Sequence, residues 1–145
     1  MYLACVSAYP SHDIGIMTAA VADYRPAEIS NQKIKKKDDD MSINLERTQD
    51  IAKALGASKR DDQVLIGFAL ETQNGIANAK QKVAKKNFDF IVLNSLTDKG
   101  AGFAGDTNKI TIINAAGDQE AYNLKSKTEV AQDILNYLIK NSALT

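Results

Sequence analysis

Residues 64–94 read VLIGFALETQNGIANAKQKVAKKNFDFIVLN, and this stretch decides the fold. Residues 64–68 and 90–93 are continuous apolar runs. A strand that is apolar on both sides is buried on both faces, which is typical of parallel sheets covered by helices. Between the two runs, Ile76, Ala79 and Val83 recur at helical spacing and predict a helix over about 75–87. Strand, helix and strand of this kind argue an α/β, three-layer architecture with a mostly parallel sheet.

Outward from that unit the segments keep alternating in type. Residues 14–18 form a short apolar run, read as a buried strand. Met41, Ile43 and Leu45 alternate with polar residues, the period-two signal of a half-buried strand. Thr48 is a candidate N-cap for a short helix through Leu55, with Gly56 at its end. Residues 109–113 and 120–124, joined by a turn at 116–118, read as an additional antiparallel hairpin or edge strands. Ser126 and Glu129 make a capping box, and Val130, Ile134, Leu135 and Leu138 mark a final amphipathic helix. Residues 1–8 are weakly helical, and the densest charge run, 33–40, is the best candidate for a mobile loop.

The bulk properties are those of one ordinary globular domain. The chain has 145 residues, 44% hydrophobic and 25% charged, enough for a single core and too few for two. Lys+Arg and Asp+Glu both count 18, so no global basic field argues for nucleic acid or a membrane surface. The single cysteine, Cys5, makes no internal disulfide, which fits a reducing compartment. No apolar run approaches the roughly 20 residues of a membrane span, and the apolar N-terminus lacks the basic leader of a signal peptide.

In open parallel sheets, ligands bind beyond the carboxyl ends of the strands. Three such ends are readable here, near Thr18, Phe68 and Leu93, and each opens into small or polar residues. After the first comes a polar loop with Asp23, Tyr24, Arg25 and Pro26, followed by Lys33, Lys35, Lys36 and Lys37. Small residues let a ligand approach the backbone, Arg forks onto oxyanions and Lys acts as a point charge. That is equipment for a phosphorylated, carboxylate-bearing ligand.

Each residue also has a plainer reading. Asp23 beside Arg25 is read as a local ion pair or turn cap, Phe68 as core packing, and the lysine run as a solvated face. Lys82 and Lys86 stand four apart and share a helix face, as ordinary solubilising lysines do. His12 is the only histidine, which leaves no His-rich metal site. Asp38, Asp39 and Asp40 are read as solvating their Lys-rich loop. No GxGxxG or GxxxxGK[ST] is present, and the Gly-rich GAGFAG at 100–105 lacks a strand-to-helix context.

The wording of several blocks resembles the phosphopantothenoylcysteine synthetase family of coenzyme A biosynthesis. AAVADYRP with KIKK, IGFALET at 66–72, the lysines within 82–86, FIVLN at 90–94 and GAGFAGDTNKITII at 100–113 fall in the family's order and spacing, over nearly the whole chain. The resemblance implies a Rossmann-like fold and the ligation of 4′-phosphopantothenate with L-cysteine, with CTP as co-substrate and Mg²⁺ assisting. It implies that Met17, Thr18 and Ala19, Asp23, Lys33, the segment Gln49, Asp50, Ile51 and Ala52, Phe68, Lys82 and Lys86 contact the nucleotide. Lys33 would also be catalytic, neutralising charge on an acyl-phosphate intermediate. Ala20, Arg25 and Asn94 are further candidates.

The same resemblance implies a cytoplasmic homodimer, with a flavin-dependent decarboxylase normally fused upstream and no FMN site in this part. The family's domain begins with a strand, a Gly-rich turn and an Asn- and Ser-containing segment upstream of Met1, so a truncated C-terminal portion is expected. Gln49 stands where the family usually has Pro, and residues 85–87 lack a Gly often found after the second lysine. Two other readings compete: a nucleotide-binding and dimerising fragment without activity, and nucleic-acid binding through KIKKK. Zero net charge and the lack of interleaved aromatics weaken the latter.

Overall fold

In the computed structural model, which describes residues 1–35, 40–95 and 105–141, the chain opens with α1 (Tyr2–Ala8) and a single 3-10 turn (Tyr9–Ser11). There follow β1 (Ile14–Met17), β2 (Tyr24–Pro26), β3 (Leu45–Arg47), α2 (Ile51–Ser58), β4 (Val64–Glu71), α3 (Gly75–Lys86) and β5 (Phe90–Ser95). The last elements are β6 (Thr107–Asn108), β7 (Ile110–Asn114), β8 (Gln119–Ala121), β9 (Lys125–Ser126) and α4 (Lys127–Asn141). Two compact units result: Ala19–Asp50, and the remainder, Met1–Thr18 with Ile51–Thr145.

The larger unit is built on a five-stranded sheet in the order β1-β4-β5-β7-β8. β1, β4 and β5 run parallel, while β7 and β8 are antiparallel additions. The apolar runs of β4 and β5 are explained by burial on both faces. Leu65, Ala69, Ile91 and Leu93 pack with Ile51, Leu55, Ala79, Val83 and Phe88 on one side. Ile66, Phe90, Val92, Ile110 and Ile112 pack with Val130, Ile134, Tyr137 and Leu138 of α4 on the other. Phe90 and Tyr137 meet edge to face, with ring centroids 5.0 Å apart.

The ends of the helices are set by their caps. α3 stops at Asn87, whose left-handed backbone (φ 52°) turns the chain so that the Phe88 N–H reaches the Val83 carbonyl at 3.1 Å. α4 starts at the expected capping box: the Ser126 N–H donates to Glu129 Oε2 at 3.0 Å and the Glu129 N–H to Ser126 Oγ at 3.3 Å. Among the described residues, no helix is long and apolar enough to cross a membrane.

Four expectations are corrected. β1 is an edge strand rather than a buried one, so Ile14 and Ile16 are 37% and 43% exposed. Met41, Ile43 and Leu45 are all exposed, and only Leu45–Arg47 forms a strand. Its partner β2 makes a two-stranded ribbon in the small unit, with no third strand among the described residues to create a buried face. Thr48 does not cap α2; its hydroxyl donates to the Ala22 carbonyl at 2.6 Å. Nor does α2 end at Gly56: it continues to Ser58, because Gly56 is chosen for close packing and not for a turn. The hairpin at β7 and β8 stands as expected, with Gly117 at φ 89° in its turn. Lys36, Lys37, Asp38 and Asp39 of the charge run, and residues 100–104 of the Gly-rich segment, lie outside the described residues.

Candidate functional site

Three parallel strands present their carboxyl ends side by side. Met17, the last residue of β1, is opposite Gly67; Phe68 is opposite Val92; Asn94 is opposite Leu70; and β4 closes at Glu71 opposite Ser95. The pleat then sorts the side chains. Met17 packs on the face covered by α2 and α3, and Phe68 packs toward the α4 face, half-buried. Asn94 is also half-buried, and its Oδ1 accepts from Asn108 Nδ2 at 3.1 Å.

Lys82 reaches the same end of the sheet from α3. Its ammonium donates to Glu71 Oε1 at 2.6 Å. The other carboxylate oxygen, Oε2, accepts from Asn78 Nδ2 at 2.9 Å. These two donors, Lys82 first, hold the Glu71 carboxyl below its usual range. Over the first turn of α3 lies an open hollow of about 520 Å³, lined by Asn74, Gly75, Ile76, Ala77 and Lys80. Lys86 does not join this cluster. It sits one turn further on, in the last turn of α3, at the end of the helix away from Glu71.

Of the other candidates in this unit, Thr18 is exposed just past β1. The Ile51 side chain belongs to the core, which leaves only its backbone available to a ligand, and Ala52 packs against the same cluster.

The remaining candidates, Ala19, Ala20, Asp23, Arg25, Lys33, Gln49 and Asp50, all belong to the small unit and are exposed. Here β2 and β3 pair Tyr24 with Arg47, Arg25 with Glu46 and Pro26 with Leu45. Arg25 is committed to a local ion pair, its guanidinium donating to Glu46 Oε1 at 2.7 Å. The Asp23 carbonyl accepts from the Thr48 N–H at 2.9 Å. Together these bonds close the ribbon from which the Lys33 loop departs. A cavity of about 410 Å³ within the unit is lined by Glu28, Ile29, Ser30, Ile34, Met41, Ser42, Ile43 and Asn44.

At the opposite, amino end of β4 and β5 the chemistry is structural. Asp89 accepts both Lys59 Nζ, at 2.8 and 2.9 Å, and the Leu65 N–H, at 2.6 Å. A cavity of about 210 Å³ there is lined by Val64, Asp89, Asn114, Tyr137 and Asn141, among others. Burial, and then the Asp89 charge, push the Tyr9 hydroxyl up to about 12. Among the described residues, no three His, Cys, Asp or Glu side chains are grouped to hold a metal.

Glu71, Asn78 and Asn108 escaped the sequence analysis. The available signal was an acidic residue ending an otherwise apolar strand, where a core strand has no need of charge.

A profile of the DNA/pantothenate metabolism flavoprotein C-terminal domain matches residues 1–141. The chain is 49% identical over 136 residues to a cysteine/cysteine sulfinic acid decarboxylase from an unknown prokaryotic organism, covering 94% of this chain and 38% of that protein. It is 43% identical over 142 residues to the coenzyme A biosynthesis bifunctional protein CoaBC of Bacillus subtilis (strain 168), covering 98% of this chain and 35% of that protein. The chain thus spans little more than a third of these curated relatives. Among solved structures, the C-terminal domain of a CoaBC protein superimposes with TM-score 0.74 at 37% identity, covering 94% of this chain and 58% of that one. The DNA/pantothenate metabolism flavoprotein from Streptococcus pneumoniae shares the fold, with TM-score 0.76 at 18% identity over 96% of this chain and 68% of that one.

Proposed function

The chain belongs to the DNA/pantothenate metabolism flavoprotein C-terminal domain family, and on that premise we propose that it is the nucleotide-side portion of a phosphopantothenate–cysteine ligase of coenzyme A biosynthesis. In this reading the carboxylate of 4′-phosphopantothenate attacks the α-phosphate of CTP. An acyl-cytidylate forms and pyrophosphate leaves. The amine of L-cysteine then displaces CMP and forms the amide. Such chemistry is carried by positioning and by neutralising developing charge.

The observation that carries the reading is that Met17 and Asn94 lie at the carboxyl ends of β1 and β5, with Phe68 three residues before β4 closes and the Lys82 ammonium held at the same end of the sheet. A half-buried Phe68 offers a ring to the pyrimidine base, and Lys82 offers charge to phosphate oxygens. Asp23 and Lys33 stand exposed in the other unit; Lys33 is assigned to the nucleotide and to the acyl-phosphate intermediate, and Lys86 to the nucleotide. Mg²⁺ would travel on the nucleotide's phosphates, in keeping with its preference for substrate oxygens over a protein cage. The working assembly would be a cytoplasmic homodimer with the decarboxylase portion upstream.

One observation favours a second reading. The chain covers 58% of the solved CoaBC C-terminal domain; in the second reading it binds nucleotide and dimerises without ligating by itself. Calorimetric titration with CTP and then ATP, each with Mg²⁺, beside Lys33→Ala tests both. CTP binding that weakens in the variant supports the nucleotide site. Binding without formation of CMP on adding 4′-phosphopantothenate and cysteine favours the fragment. No binding of either nucleotide overturns both.

A further inference from the structure

We propose that Glu71 is a positioning residue for the nucleotide, fixing the Lys82 ammonium at the carboxyl end of β4 so that its remaining N–H donors meet phosphate oxygens. The proposal deepens the functional reading above and rests on it through Lys82.

The geometry has three parts. First, both oxygens of Glu71 are engaged: Oε1 takes Lys82 Nζ at 2.6 Å and Oε2 takes Asn78 Nδ2 at 2.9 Å. A carboxylate held at both oxygens does not swing with its lysine. Second, Asn78 and Lys82 are one turn apart on the same face of α3, so a single acid braces that face against the end of the strand. Third, exposure is unequal. The Glu71 side chain is 15% exposed and that of Lys82 is 42% exposed. The acid is largely withdrawn while the ammonium stays open to solvent. An ammonium has three donors, and the brace uses one.

A purely stabilising role explains this less well. α3 is already anchored by Ala79 and Val83 in the core, and a half-exposed ion pair adds little to stability. Positioning has a clear physical benefit. A free lysine surrenders rotamer freedom when a ligand orders it, whereas a braced lysine has lost that freedom already. The two donors on Glu71 also keep it anionic below the usual carboxylate range, so the brace persists at neutral pH.

The test is a double-mutant cycle read as CTP affinity by calorimetry, with the whole chain, Glu71→Gln, Lys82→Ala and the double variant. Lys82→Ala is expected to weaken CTP about tenfold, and Glu71→Gln by a comparable factor, as for loss of a hydrogen bond to a charged group. The double variant is expected to bind no worse than Lys82→Ala, because Glu71 acts only through Lys82. Glu71→Asp keeps the charge but shortens the reach; it is expected to weaken CTP with an unchanged circular dichroism spectrum, and it decides the matter should the Gln variant not fold. If Lys82→Ala weakens CTP while Glu71→Gln and Glu71→Asp do not, or if they tighten it, the positioning role is overturned and the functional reading survives. If Lys82→Ala is without effect, or the chain does not bind CTP, the functional reading of Lys82 fails and this inference with it.

Discussion

Asn87 Nδ2 donates to the carbonyl of Gly56 at 2.9 Å, tying the end of α3 to the middle of α2. The approach is possible only because Gly56 has no side chain: a Cβ there would collide with the Lys86 carbonyl and crowd Asn87. Gly56→Ala is therefore expected to destabilise the larger unit by about 3 kcal/mol, or roughly 10 °C in Tm. Chemical and thermal denaturation check this. An unchanged midpoint would mean that the two helices move apart freely.

Gln63 performs a similar task with polar atoms. It is 3% exposed, and its amide donates to the carbonyls of Tyr9 and His12 at 2.8 and 2.7 Å while accepting the Arg60 N–H at 2.9 Å. Gln63→Leu keeps most of the bulk and leaves these backbone groups without that partner. The expected loss is about 2–3 kcal/mol, measured by urea denaturation at constant m. The effect should be on stability and not on nucleotide affinity, because Gln63 lies at the amino end of β4.

Glu71 gives the pH prediction. Its carboxyl is held below the ordinary 4.5 by Lys82 and Asn78, so the folded state binds this proton less tightly than the unfolded chain does. The resulting stability is fully present above the unfolded value and is lost as pH falls through the folded one. The stability difference between the chain and Glu71→Gln should be about 1 kcal/mol at pH 7. It should shrink below pH 4.5, the ordinary value. A difference that grows on acidification would contradict the assigned ion pair.

The central fold was readable because β4 and β5 are buried on both faces, which writes unbroken apolar runs such as residues 64–68 into the sequence. The Ser126–Glu129 box was readable because capping is local. What escaped depends on the surroundings of an element. The alternation at Met41, Ile43 and Leu45 is real, but among the described residues no layer covers it within its unit. Ile14 looks like core, yet β1 sits at the sheet edge. Gly56 looks like a helix stop and is a helix contact. At the candidate site, the strand ends near Met17 and Asn94 followed from the parallel topology, while β4 runs three residues past the expected end at Phe68, to Glu71. Glu71 did not, because its partner Lys82 is 11 residues away on another element, and periodicity within one element carries no trace of such a pairing.

Backbone amide NMR of the whole chain during titration with CTP and Mg²⁺ tests the central claim most directly. The account predicts shifts at Met17 and Thr18, from Phe68 to Thr72 and at Asn94 in the larger unit, and at Asp23 and Lys33 in the small one. Shifts centred instead on Val64, Asp89, Asn114 and Tyr137, around the cavity at the amino end of the sheet, would contradict it.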